Sequence, residues 1–349
     1  MNIGITGRPG SGKTTLAYYL TQLLPNSYLP DVDMIYHLRA HDKMMDGIGW
    51  RYVTAGTNKE EANKAYEYIL ESCKEKGIEI QGDFSLKEKA SYALSNLTFK
   101  YTEECLGRDI PKNCDFIIID FYLLPYLNKF FELDYSVFLD VDTSIRFNHA
   151  LERMSKNEGK QFSEEEKKER IRKMEEFENK ENVNYQLINY DLVLKNPPSL
   201  LILQEEAKRL ALEMLEKYSK EEKQNMLLRE YEYGIEQVVD SCDSTAYKKY
   251  AYEGLKKYFG TIAVNKLMFL YEENLIDKEM FSLFLEKKMY AVKYYLNSSR
   301  KLLRFEEKLN ELSLVLKEDV TSFYNKNLID KDTYSTFIKE CKKLKKALR

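Results

Sequence analysis

Apolar positions in the first part of the chain alternate between two periods. Ile3 and Ile5 form a short strand-like run, and Leu16, Ala17, Tyr19, Leu20, Leu23 and Leu24 follow at helical spacing. Pro25-Asn26 interrupts this pattern before Ser27-Tyr28-Leu29, a brief second strand, and Asp31 stands where it can cap a helix over Met34–Ala40. Residues 57–107 read as helices. Ala62, Ala65, Tyr66, Ile69, Leu70 and Cys73 share one face of the first, and Tyr92, Leu94, Leu97 and Tyr101 share one face of a later one. The continuous apolar run of residues 115–120 has the character of a buried parallel strand, and residues 135–140 repeat it. A helix through Arg146, Phe147, Ala150, Leu151, Arg153 and Met154 ends in the polar stretch 155–160. Ser163-Glu164-Glu165-Glu166 is a capping box for the next helix. Residues 190–196 read as the last strand, Pro197-Pro198 as a stop, and Leu200, Leu203, Ala207, Leu210, Ala211 and Met214 as the stripe of a closing helix.

From about residue 216 the strand signals stop and charged helices take over. Leu270–Phe284 reappears as Phe323–Phe337, each copy reading as a helix end, an Asn-Leu-Ile connector, an Asp N-cap and a new helix. Two copies are too few for a solenoid, so the expected arrangement is a duplicated helical hairpin packed into a small bundle. The boundaries are therefore an α/β domain over 1–215 and an all-α domain over 216–349.

Composition adds limits. The 349 residues carry a net charge of −3, which implies no global attraction to nucleic acid or anionic membrane. Five scattered cysteines without a C-x-x-C pair suit free thiols. No apolar run approaches a membrane span and no amino-terminal signal is evident, so a cytoplasmic location is expected.

The chemistry concentrates in residues 2–16, where Gly7, Gly10, Ser11, Gly12, Lys13, Thr14 and Thr15 satisfy G-x-x-x-x-G-K-[ST] between a strand and a helix. Glycines let the backbone approach a polyphosphate, whose oxygens then face successive N–H groups and the positive end of a helix. Lys13 would reach the β- and γ-phosphates, and the Thr14 hydroxyl would hold Mg²⁺. Asp33, just past the second strand, is the candidate for orienting and deprotonating an attacking hydroxyl. Asp120, ending a buried strand, reads as a second Mg²⁺ residue. The helix through Arg146 and Met154, the basic loop 155–160 and the helix that follows the Ser163 capping box have the arrangement of a lid, with Arg153 favoured over Arg146, Arg170 and Arg172 to neutralise charge on a transferred phosphoryl group. His37 and His41 have a metal-compatible spacing but no third ligand. Arg39, Lys43 and Arg51 bring positive charge near the acceptor side, and Trp50 could stack on a planar group.

With these pieces in order, the chain resembles the P-loop nucleoside and nucleotide kinases, and among them dephospho-CoA kinase, over roughly residues 1–215. The resemblance implies a three-layer P-loop NTPase fold with a parallel sheet and a kinase lid. It also implies transfer of the ATP γ-phosphoryl group to a small nucleotide-like acceptor, with ATP and Mg²⁺ required. Lys13, Asp33 and Arg153 would be the catalytic residues and Thr14 and Asp120 the metal residues. The His-Pro dipeptide of dephospho-CoA kinases is absent from residues 57–110, so a nucleoside or nucleotide acceptor stands beside dephospho-CoA. Two alternatives stay open: a kinase for a modified base in DNA, and a nucleotide-dependent switch. In the latter, residues 216–349 would bind a protein partner or mediate self-association.

Overall fold

The computed structural model describes residues 1–40, 59–80, 82, 84–196, 199–243, 248–299 and 306–347. His41, Lys43, Trp50, Arg51 and Pro197-Pro198 lie outside the described residues. The chain divides into two compact units, one comprising Met1–Tyr18 with Tyr28–Glu206 and the other Tyr19–Ser27 with Ala207–Arg349.

The first unit is built on a five-stranded parallel sheet of order β2-β3-β1-β4-β5. Its strands are β1 (Asn2–Gly7), β2 (Ser27–Tyr28), β3 (Phe116–Asp120), β4 (Tyr135–Asp140) and β5 (Leu192–Lys195). Ile3, Ile5, Ile118, Ile119, Val137 and Leu139 are almost fully buried, which explains their continuous apolar runs. The register pairs Ile5 with Asp120 and Gly7 with Leu139, so the carboxyl ends of β1, β3 and β4 finish at one edge. This is the edge where ligands gather in open α/β sheets. Helix α1 (Lys13–Leu23) starts there, directly after the glycine-rich turn.

Between β2 and β3 the Asp31 carboxylate caps a short helix by accepting the Met34 N–H at 2.9 Å, and the chain then widens into a π-helical turn over Ile35–Ala40. The hairpin of α2 (Lys59–Glu75) and α3 (Leu86–Asp109) follows. Ala62, Ala65, Ile69 and Cys73 are buried on α2 as their spacing predicts. On α3 the buried stripe is Ala90, Ala93, Leu97 and Tyr101, while Tyr92 is exposed. The stripe follows the small alanines that let α2 approach, and the larger Tyr92 is turned out. A second hairpin, α4 (Thr143–Glu158) and α5 (Glu164–Glu181), joins β4 to β5. Gly159 closes α4 in the left-handed conformation, and Ser163 and Glu166 form the capping box of α5. Lys160 and the Ser163 backbone hold the Glu166 carboxyl down at about 2. The helix α6 (Leu200–Leu215) buries Leu203, Ala207, Leu210, Ala211 and Met214, but Leu200, at its first position, is exposed.

The second unit contains α7 (Lys220–Asp243), α8 (Lys248–Phe259), α9 (Thr261–Glu272), α10 (Glu279–Ser299), α11 (Glu306–Asn325) and α12 (Lys331–Ala347). The repeat is present as two helix–turn–helix corners of one geometry. Asn274 and Asn327 sit at φ of 58° and 57°, and the Leu275 and Leu328 N–H groups donate to Leu270 and Phe323 carbonyls, each at 2.8 Å. Both bonds close the preceding helix with the left-handed cap that Asn tolerates. Phe281 of the first copy meets Phe323 of the second at 4.9 Å, so the copies pack on each other. They differ at the connector. Asp330 accepts the Thr333 N–H at 2.7 Å as an N-cap should, whereas the Asp277 carboxylate instead binds Lys220 and Gln224. The expected N-cap at Asp277 is thus displaced by a nearby lysine and amide. Among the described residues of this unit, buried Lys266 pairs with Glu230 and buried Lys288 with the half-buried Asp319. Among the described residues no helix is long and apolar enough to cross a membrane.

Candidate functional site

The glycine-rich turn is held open by its own backbone and from one side by α4. Gly7, Gly10 and Gly12 all have positive φ, at 149°, 82° and 95°. A Cβ on Gly10 would lie 2.5 Å from the Arg146 carbonyl oxygen, so only glycine lets α4 come this close. Arg146 is 1% exposed and spends its guanidinium on structure. It donates to the carbonyls of Val141 and Pro9 at 2.9 and 3.1 Å, to Thr143 Oγ1, and to both carboxylate oxygens of Glu178 on α5. The His149 ring approaches the Gly10 carbonyl at 3.4 Å. Arg8, within the turn, also pairs with Glu178 at 3.4 Å. One carboxylate of α5 therefore fixes both the turn and the arginine that grips it.

Lys13 Nζ reaches back to the Arg8 carbonyl at 3.5 Å. Burial pushes its pKa down, while Asp120 and Asp33 pull it up and Arg153 and Arg146 push it down further. Those four residues and Lys13 thus share one electrostatic field. The Asp120 carboxyl is raised above the ordinary range by burial, against the pull of Lys13 and a hydrogen bond from Thr14. Asp33 is likewise raised by burial, opposed by Lys13 and His37. The Tyr122 hydroxyl is raised too, mainly by burial. The Tyr122 ring lies between His37 and Phe177, with ring centroids 6.4 Å from each.

The fold thus brings together Lys13, Thr14, Asp33, Asp120 and Arg153. The other basic candidates among the described residues are committed elsewhere. Arg39 is paired with Asp109, Arg170 with Glu158 and the face of Phe162, and Arg172 with Glu169 and Glu176. Arg153 is exposed and has no hydrogen-bond or ion-pair partner among the described residues. Sequence reasoning misses Glu178, one of many glutamates on a charged helix, because its role arises only when α5 folds back over the turn.

Two features test the fit of a polyphosphate and its cation. The Ser11 hydroxyl is buried without a hydrogen-bond partner, in a turn whose glycines leave no side chain to fill the cradle. Thr14 and Asp120, already hydrogen-bonded, are the hard oxygen donors that Mg²⁺ takes. Among the described residues no group of three or more His, Cys, Asp or Glu could hold a metal, and the His37 and His41 pair is not covered by this because His41 lies outside them.

No family model matches the chain. No curated protein matches it either. Among solved structures it is similar to TT1252 from Thermus thermophilus, at 21% identity over 61% of this chain and 97% of that one, with a TM-score of 0.34. A likeness of that size says nothing about function.

Proposed function

We propose that this chain is an ATP- and Mg²⁺-dependent phosphotransferase that moves the γ-phosphoryl group to a small nucleotide-like acceptor. The observation that carries the reading is the glycine turn itself, with Gly7, Gly10 and Gly12 at positive φ and a buried, unpartnered Ser11 hydroxyl, opening directly onto the N-terminus of α1. Lys13, whose pKa burial pushes down in spite of Asp120 and Asp33, gains from an anion beside it. Thr14 and Asp120 would hold Mg²⁺, which offsets polyphosphate charge when bound. Asp33, with its carboxyl raised above the ordinary range, is the better proton acceptor for an attacking hydroxyl. Arg153, unpaired on the hairpin that acts as the lid, supplies positive charge where it develops on the transferred group.

The test is transfer of label from γ-labelled ATP to a panel of nucleosides, nucleotides and dephospho-CoA. A labelled acceptor is expected with the wild type and at least about a hundredfold less with Asp33→Asn, the scale of general-base loss. Slow hydrolysis alone with every acceptor would remove the transferase reading and favour a nucleotide switch.

A further inference from the structure

The helix α12 carries six lysines against two acidic residues, in a chain whose net charge is −3. Its apolar side is covered. Phe337 and Cys341 are buried where it packs on α11 and α10, and Tyr334 stacks on Tyr324 of α11 at 4.4 Å and 24°. At 100° per residue, Lys339, Lys342, Lys343 and Lys346 fall on the opposite side within an arc of about 100° and about 11 Å of helix axis. All four are exposed.

Elsewhere in this unit lysines are answered one by one, Lys220 by Asp277, Lys266 by Glu230, Lys287 by Glu232 and Lys288 by Asp319. On the outer face of α12 the matching stops. Lys339, Lys342 and Lys346 have no ion-pair partner among the described residues. Glu340 is divided between Lys293 and Lys343 at 2.6 Å each, and Asp332 shares the face from about 11 Å nearer the amino end. Like charges three and four residues apart weaken a helix, so packing gains nothing from this cluster and a polyanion would remove the repulsion. The helix dipole favours Lys346 in the last turn but not Lys339, two turns earlier.

We propose that the outer face of α12 binds the phosphate backbone of duplex DNA, without sequence preference, through Lys339, Lys342, Lys343 and Lys346. A bilayer is the poorer partner, because the apolar side of α12 is already packed on its neighbours. So is a single strand, whose bases need aromatic faces, since Tyr334 and Phe337 are turned into the bundle. The B-form major groove, about 12 Å wide, admits the face of a helix, whereas the A-form groove of RNA is too narrow. Lysines contact phosphates and carry no sequence code, hence the lack of preference. This goes beyond the transferase reading and does not depend on it.

The test is fluorescence anisotropy of a short labelled DNA duplex of arbitrary sequence, titrated with the full chain at several salt concentrations. The wild type binds with an affinity that falls as salt rises, at a log–log slope of about −3 to −4, the counterion release of four phosphate contacts. The exposed-site triple variant Lys339→Gln, Lys342→Gln and Lys346→Gln binds about tenfold or more weakly at low salt, with a slope near about −1. A reference triple, Lys64→Gln, Lys208→Gln and Lys256→Gln, changes the net charge equally and keeps the affinity within about twofold, because distant charges are screened. Lys13→Ala leaves it unchanged. The inference is overturned if the wild type shows no salt-dependent binding, or if the reference triple weakens it as much as the α12 triple. It is also overturned if single-stranded DNA or duplex RNA binds as tightly as duplex DNA, or if the chain binds vesicles of anionic lipid and not DNA.

Discussion

At the scale of single residues, Glu178 has the largest consequence. Its carboxylate neutralises Arg146, which is 1% exposed, and so holds the Pro9 carbonyl and the glycine turn in place. Glu178→Gln keeps the shape but leaves a buried guanidinium without its counter-charge, an error worth about 3–5 kcal/mol. Urea unfolding should register that loss, and Arg146→Met combined with Glu178→Leu should recover most of it, because removing both charges also removes their desolvation. A loss below about 1 kcal/mol for Glu178→Gln would mean that the pair is not closed in solution. Nothing in the sequence marks Glu178 among the other acidic residues of α5. By contrast, Gly10 and Gly12 are legible in advance, because a turn that wraps its N–H groups around an anion requires conformations only glycine adopts freely.

At the scale of elements, legibility follows burial. The strands that end at Asp120 and Asp140 are readable because their apolar residues, among them Phe116, Ile118, Ile119, Val137 and Leu139, are buried. The face of α3 is misread at Tyr92 because apolar character alone cannot say which of two adjacent stripes meets α2. Arg39 and Arg170 look available in the sequence and are spent on Asp109 and Glu158, contacts made across elements. In the repeat, Asn274 and Asn327 are well-determined points, since both occupy the left-handed region. Asn327→Ala should destabilise by about 1–2 kcal/mol and Asn327→Gly by much less, because only a Cβ with no local hydrogen bond is penalised there. Equal melting temperatures for the two variants would contradict the left-handed cap.

At the scale of the whole molecule, the division into two compact units does not follow the chain in a simple cut, since Tyr19–Ser27 belongs with Ala207–Arg349. The Asn26 N–H donates to Glu230 at 2.7 Å, and Glu230 also pairs with buried Lys266, so an early segment helps to satisfy a buried charge in the helical unit. The sequence places its boundary near residue 215, where composition changes. A segment of nine residues contributed from the amino-terminal side leaves no compositional trace. The chemistry proposed for the chain rests on the other unit and on one prior requirement, that its glycine turn binds a nucleoside triphosphate through Lys13.

Calorimetric titration of the full chain with a non-hydrolysable ATP analogue and Mg²⁺ tests that requirement most directly. The account predicts saturable binding at one site, weakened about ten- to a hundredfold by Lys13→Ala through loss of charged hydrogen bonds. No binding by the wild type, or equal binding by the wild type and Lys13→Ala, would contradict it.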